Sequence, residues 1–160
     1  MKYNYLLFEN NKEYTYIYNV FNNVKADIKR VYGWNVGNEL GLKISNVGMY
    51  NDGRINTSMN PLDYAGCYVS SLGFIAIADR KHLKKVIKHY NLDYSVDKFL
   101  RWMLCHETCH YIYNNILTDA EKQKYRHVTI DTEYLRTYDI PPDDEIFCEY
   151  IAKSLYGNLK

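Results

Sequence analysis

The chain has 160 residues, 47% of them apolar and 24% charged, which suffices for one domain with its own core and leaves nothing for a second. With 20 basic and 19 acidic residues the formal charge is +1, so no overall field draws the chain to nucleic acid or to an anionic membrane. The composition points instead to a compact site for a specific ligand.

The opening stretch MKYNYLLFENNKEY holds only a short apolar run, too brief for an export signal, and no later run approaches a membrane span. The expected location is the cytoplasm. Cys67, Cys105, Cys109 and Cys148 form no CxxC pair and read as reduced, mostly buried thiols.

Tyr14, Ile17, Phe21, Val24, Ile28 and Val31 recur at steps of three and four, which predicts an amphipathic helix ending at Gly33. Alternation from Gly41 to Tyr50 predicts a strand, and Asn51-Asp52-Gly53 a turn. Tyr64–Val69 and Leu72–Ala78 read as two antiparallel strands joined through Ser70 and Ser71. Leu83, Val86, Ile87 and Tyr90, set against Lys81, Lys84, Lys85 and Lys88, predict a short helix with a solvated lysine face. Ser95 is a candidate N-cap for a helix from Val96 to Asn114, with Asn114-Asn115 suited to a left-handed end. Residues 118–142 are polar and carry no clear element. Pro141-Pro142 then sets the entry to a last helix, Asp143 to Tyr156, stopped by Gly157.

Chemistry concentrates in Leu104-Cys105-His106-Glu107-Thr108-Cys109-His110. Histidines four apart on a helix share a face one turn apart, so His106 and His110 can aim at one ion. Glu107 lies about 100° further round, placed to touch a water beside the ion rather than the ion itself. A chain of this composition holds on the order of 0.01 such HExxH matches by accident. Moreover, Trp102, Cys105, Cys109 and Ile112 make the helix apolar around the motif, and a buried carboxylate and two imidazoles need a specific partner. Zinc is such a partner, and an open catalytic site needs a third protein ligand. The downstream candidates are His127, Glu133, Glu145 and Glu149. Glu145 and Glu149 are again four apart, so one can ligate while the other orients a histidine.

Taken with this second helix, the sequence resembles the gluzincin branch of the zincin metallopeptidases, in which a HExxH helix is followed by a helix bearing ExxxD or ExxxE. The resemblance implies that His106, His110 and Glu145 bind Zn2+, that Glu107 is the general base and that Glu149 supports a ligand. The run TYDIPPDDEIFCE looks most like the lethal-factor-type and proline-proline endopeptidase-like gluzincins. That likeness implies an oxyanion role for the tyrosine seven residues before the ligand glutamate, Tyr138, with Tyr134 as its rival. It spans residues 96 to 156. Two departures stand out: Cys109 replaces the usual small glycine and adds a thiol near the metal, and the export signal of the toxin relatives is lacking. His127 resembles the third ligand of SprT-like peptidases, although Val128 stands where those have glycine.

The implied fold is a single α+β zincin domain over residues 1–160, with an N-terminal helix, a mostly antiparallel sheet, the HExxH helix and a C-terminal glutamate helix. Within it Leu72–Ala78 is either a strand beside the cleft that pairs with extended substrate or a central core strand. The implied function is zinc-dependent endopeptidase hydrolysis of protein or peptide, with Glu107 as base on an activated water. The competing readings are a non-catalytic binding or assembly protein on the same fold and a DNA-linked intracellular peptidase of SprT or ImmA type.

Overall fold

Helix α1 (Asn11–Tyr32) turns Ile17, Phe21, Val24 and Ile28 fully inward at the three-and-four spacing of its apolar residues, and Gly33 at φ +78° ends it. The computed structural model describes residues 11–158, so the expectation about an export signal, which rests on the opening stretch, falls mostly outside the described residues. Strand β1 (Gly41–Ile44) is shorter than its alternating sequence predicts. The Ser45 hydroxyl donates to Val47 O at 2.8 Å and bends the chain out of the sheet. Asn51-Asp52-Gly53 does turn, with Gly53 at φ +80° and a bridge between Met49 and Ile55.

Strands β2 (Gly66–Val69) and β3 (Phe74–Ile77) form the expected antiparallel pair, with Gly66 opposite Ile77. Strand β3 also pairs with β1, in parallel, so the sheet order is β1-β3-β2. The sheet is therefore mixed, not mostly antiparallel: a long connection after β1 brings the β2–β3 hairpin back with β3 running alongside β1. Every residue of β3 is buried, as suits a strand covered on both faces. Leu72–Ala78 thus supplies the central strand, and the two edges belong to β1 and β2.

Asp79 caps α2 (Arg80–His89), accepting from His82 N at 2.8 Å, and Ser95 caps α3 (Val96–Asn115), accepting from Lys98 N at 3.1 Å. The end of α3 is not left-handed; its cap, Ile116, stays near helical dihedrals. In the stretch left unassigned by sequence lies α4 (Asp119–Tyr125), opened by a capping box: Thr118 Oγ1 accepts from Glu121 N at 3.2 Å, and Glu121 Oε1 from Thr118 N at 3.1 Å. Helix α5 (Asp143–Tyr156) starts after Pro142, which offers no side-chain cap, and stops at Gly157 with φ +73°.

Helix α3 is the hub, lying against α1, α2, the sheet and, most extensively, α5. The resulting α+β domain has one main core, with a small second cluster of Val69, Phe74 and Ala76 on the far face of the sheet. Among the described residues no helix is long and apolar enough to cross a membrane.

Phe147 of α5 anchors this packing, its ring centroid 5.6 Å from that of Trp34, 5.6 Å from Tyr113 and 5.0 Å from Tyr125. Phe147→Ala is expected to lower the unfolding free energy by about 3–5 kcal/mol in urea titration; a loss under about 1 kcal/mol would mean that the site collapses without a cavity.

Candidate metal centre

The hydrophobic demand of the core holds α3 against α5, and both helices carry their polar residues into that seam. From α3 come His106 and His110, one turn apart, with Glu107 next to the first; from α5 come Asp144, Glu145, Cys148 and Glu149. His106, Glu107 and Glu149 are buried, and the His110 and Glu145 side chains are only 13% and 14% exposed.

Glu149 is saturated. Its Oε1 accepts from Thr132 Oγ1 at 2.8 Å, and its Oε2 accepts from Trp102 Nε1 at 3.0 Å and faces His106 Nδ1 at 3.0 Å. A carboxylate so placed accepts a hydrogen bond from Nδ1–H and leaves His106 Nε2 as the presented nitrogen. His110 repeats the pattern: Nδ1 lies 3.3 Å from Asp144 Oδ2. Each imidazole therefore has its own orienting acid.

Both Nε2 atoms turn toward Glu145, 2.9 Å from its Oε2 for His106 and 3.3 Å from its Oε1 for His110. Yet Glu145 Oε2, although buried, takes no hydrogen bond among the described residues. At 2.9 Å the failure is one of direction, since the ring N–H axis and the oxygen do not align. A buried carboxylate oxygen left without a partner beside two imidazoles is a demand that a cation could meet. Two ligands about 2.0–2.1 Å from a tetrahedral zinc sit about 3.3 Å apart, a separation that the His110 contact matches and the His106 contact, at 2.9 Å to the other oxygen, undercuts. The donor set of two imidazoles and a carboxylate suits zinc and leaves a fourth position open.

Cys148 brings a thiol into the same region. His106, His110 and Cys148 offer ligand atoms within 4.8 Å of one another, as do His110, Asp144 and Glu145. Sequence had placed the thiol of interest at Cys109; that side chain is buried in the main core, and burial together with the adjacent Cys105 pushes its thiol well up. Burial likewise holds the Cys148 thiol high.

Glu107 is buried and lines a cavity of about 720 Å³ that also reaches His106, Tyr134 and Gly66, and its carboxylate accepts no hydrogen bond among the described residues. Of the two tyrosines, Tyr134 stands nearer the seam, its ring edge-on to His106 at 5.3 Å between centroids. Tyr138 sits one hydrogen bond further out, the two hydroxyls 2.9 Å apart. Burial and that bond hold the Tyr134 phenol above its ordinary range, so it stays protonated. His127 is exposed in the turn after α4 and joins neither ligand group, and Glu133 is exposed with Tyr94 OH at 3.4 Å.

Asp144, Trp102, Thr132 and Cys148 escaped the sequence reading. Asp144 and Cys148 are one turn apart beside the Glu145–Glu149 pair, a signal that was present. Trp102 precedes His106 by one turn and was legible only as core, while Thr132 arrives from an irregular segment with no periodicity to place it.

Comparison with protein-family models, curated proteins and solved structures finds no match to this chain.

In the metal-free chain, burial lowers the affinity of both histidines for protons, but Glu145 and Glu149 raise His106 well above its usual value, and Asp144 and Glu145 bring His110 up to about 10. Burial raises Glu145, and the two imidazoliums outweigh it and hold it below the carboxylate range. The histidine contribution to stability is complete below the unfolded value of 6.5 and is lost as pH rises through about 10. The Glu145 contribution is complete above 4.5 and is lost as pH falls. Metal-free protein should therefore melt highest between about pH 4.5 and 6.5; thermal denaturation across pH after chelation checks this, and a maximum near pH 8–9 would contradict it. Glu149→Gln is expected to weaken zinc binding about 10- to 100-fold, read by competition with a chromophoric chelator.

Proposed function

We propose that the chain is a zinc-dependent endopeptidase of gluzincin type that acts on protein or peptide in the cytoplasm. The observation that carries this reading is the Glu145 carboxylate set between two imidazole Nε2 atoms with a buried oxygen that none of them satisfies. His106, His110 and Glu145 would hold the ion, which when bound supplies Lewis acidity toward a scissile carbonyl and toward water.

The remaining chemistry belongs to the chain. Glu107 follows His106 directly and faces the cavity with its carboxylate free to accept, so it takes the proton of the attacking water and returns it to the leaving amine. Tyr134 is the better-placed donor for the developing oxyanion, since it lines the cavity against His106, and Tyr138 orients it through the shared hydrogen bond. Glu149, braced by Trp102 and Thr132, keeps Nε2 of His106 turned to the site.

Strand β2 offers a place for the substrate backbone. Ala65 O accepts from Ala78 N at 2.9 Å, so by the alternation of an antiparallel ladder Cys67 also faces β3 while Gly66 and Tyr68 turn their backbone groups to the open side. Ala65 and Gly66 line the cavity, and an extended peptide pairing there would run past Glu107. Charged groups around the cavity include Asp63, Asp131 and Glu133 against Arg136 and Lys153, which is no basic track for nucleic acid. An unpartnered base beside the site favours an enzyme over a binding protein that merely retains the metal.

Purified wild-type protein should hold one zinc by atomic spectroscopy, and His106→Ala should hold none. Glu107→Gln should keep its zinc and lose kcat by about 10²- to 10⁴-fold in a peptide-library digest. Tyr134→Phe should lower kcat by about 10²-fold with little change in KM, and Tyr138→Phe by less. Absence of zinc from the wild type, or equal digestion by Glu107→Gln, would sink the reading.

A further inference from the structure

We infer that Cys148 is a further ligand to the ion, its sulfur filling the fourth position beside His106, His110 and Glu145 and closing the centre at rest; this regulation of the site rests on the metal-dependent peptidase reading above. On α5, Glu145, Cys148 and Glu149 stand at i, i+3 and i+4, so one face of the helix carries all three toward α3. Glu145 meets both imidazoles, and Glu149 meets His106. Cys148, between them, is fully buried and free of any disulfide. Its sulfur and one ring nitrogen from each of His106 and His110 all lie within 4.8 Å of one another, a set that joins the two helices. In the same seam the buried Glu145 Oε2 lacks a partner, an independent sign of a missing cation. Among the described residues, neither Cys105 nor Cys109 joins such a group.

In a formed tetrahedral centre, with nitrogen about 2.0–2.1 Å and sulfur about 2.3 Å from zinc, nitrogen and sulfur sit about 3.6 Å apart and two nitrogens about 3.3 Å. From separations of at most 4.8 Å the three atoms need to close by no more than roughly 1.5 Å. Rotation of the unbranched cysteine side chain and of the two rings about their single bonds supplies that movement. A thiol that coordinates a divalent ion gives up its proton outright, even where burial disfavours the free thiolate. The S–H bond breaks, the proton leaves to the buffer, and the sulfur electron pair forms the bond to the metal. Sulfur beside imidazole also selects zinc over magnesium, calcium or manganese. Four protein ligands leave no position for water, as in structural zinc sites, whereas a catalytic site keeps one open. Turnover therefore requires the Cys148 sulfur to withdraw, and this one side chain sets how much of the protein is open.

Cobalt(II), a coloured stand-in for zinc, reads the ligand set directly. Reduced, metal-free protein loaded with one cobalt should show the near-ultraviolet charge-transfer band of a cobalt–thiolate bond. Cys148→Ala should lose that band while keeping the cobalt and its visible bands, and Cys109→Ala should keep both; circular dichroism monitors the fold of each. X-ray absorption at the zinc edge of the wild type, which needs no variant, should find one sulfur at about 2.3 Å. With the site no longer closed, zinc-loaded Cys148→Ala should cleave a peptide library faster than wild type. A wild-type zinc shell of nitrogen and oxygen alone, a charge-transfer band that survives Cys148→Ala, or slower cleavage by fully loaded Cys148→Ala would overturn the inference. A sulfur-free zinc centre in a protein that cleaves peptides leaves the peptidase reading standing without it. Conversely, a sulfur ligand in a protein that cleaves nothing, with or without Cys148, upholds the ligand and defeats the peptidase reading.

Discussion

Two helices pressed together by Phe147, Ile112 and Ile151 leave room at one point of their seam for a carboxylate between two imidazoles, and the rest of the structure is organised to permit that burial. Charged or hydrogen-bonding groups inside a core are tolerated only when something meets their demand. Here the demand is met in layers. Glu149 and Asp144 answer one nitrogen of each ring, Trp102 and Thr132 answer Glu149, and a cation is the partner that would complete Glu145. Removing any member leaves the next unsatisfied, so the cluster is cooperative in the sense that pairwise deletions do not sum.

This arrangement also divides the molecule into a scaffold and a working face. The central strand β3 and the helices α1 and α2 hold α3 from one side and contribute little chemistry. The irregular segment from about residue 130 to 138 closes the other side, bringing Thr132 to Glu149 and Tyr134 to His106. It holds its own shape through Leu135 N to Thr132 Oγ1 and the Asp131–Arg136 pair. Function on a loop placed against rigid elements is a common division of labour, and the loop has no secondary-structure signature to announce it.

Legibility followed periodicity. The helices α1, α2, α3 and α5 were readable because their apolar residues recur at three and four, and several of their ends because Gly33, Ser95 and Gly157 have defined conformational roles, whereas the Asp79 cap of α2 was not read. The HExxH pair and the Glu145–Glu149 pair were readable for the same reason. The order of strands was not, because FIAI reads alike in a central or an edge position, and only the return of the β2–β3 hairpin onto β1 decides it. Helix α4 was overlooked despite the Thr118–Glu121 capping box, since its seven residues are too few for an apolar period to emerge. Tyr134 and Tyr138 differ by four residues in an irregular stretch, so no offset counted along the chain could tell which ring meets His106.

The uncapped start of α5 has a consequence of its own. Pro142 gives the helix no side-chain acceptor, and the first turn carries Asp144 and Glu145, the two acids that reach across to His110. That turn is thus stapled from outside by residues of α3 rather than from within its own chain. Fraying of the turn and loosening of the ligand cluster are then the same microscopic opening. Any exchange of a guest at that seam would be coupled to the opening of a single turn of helix.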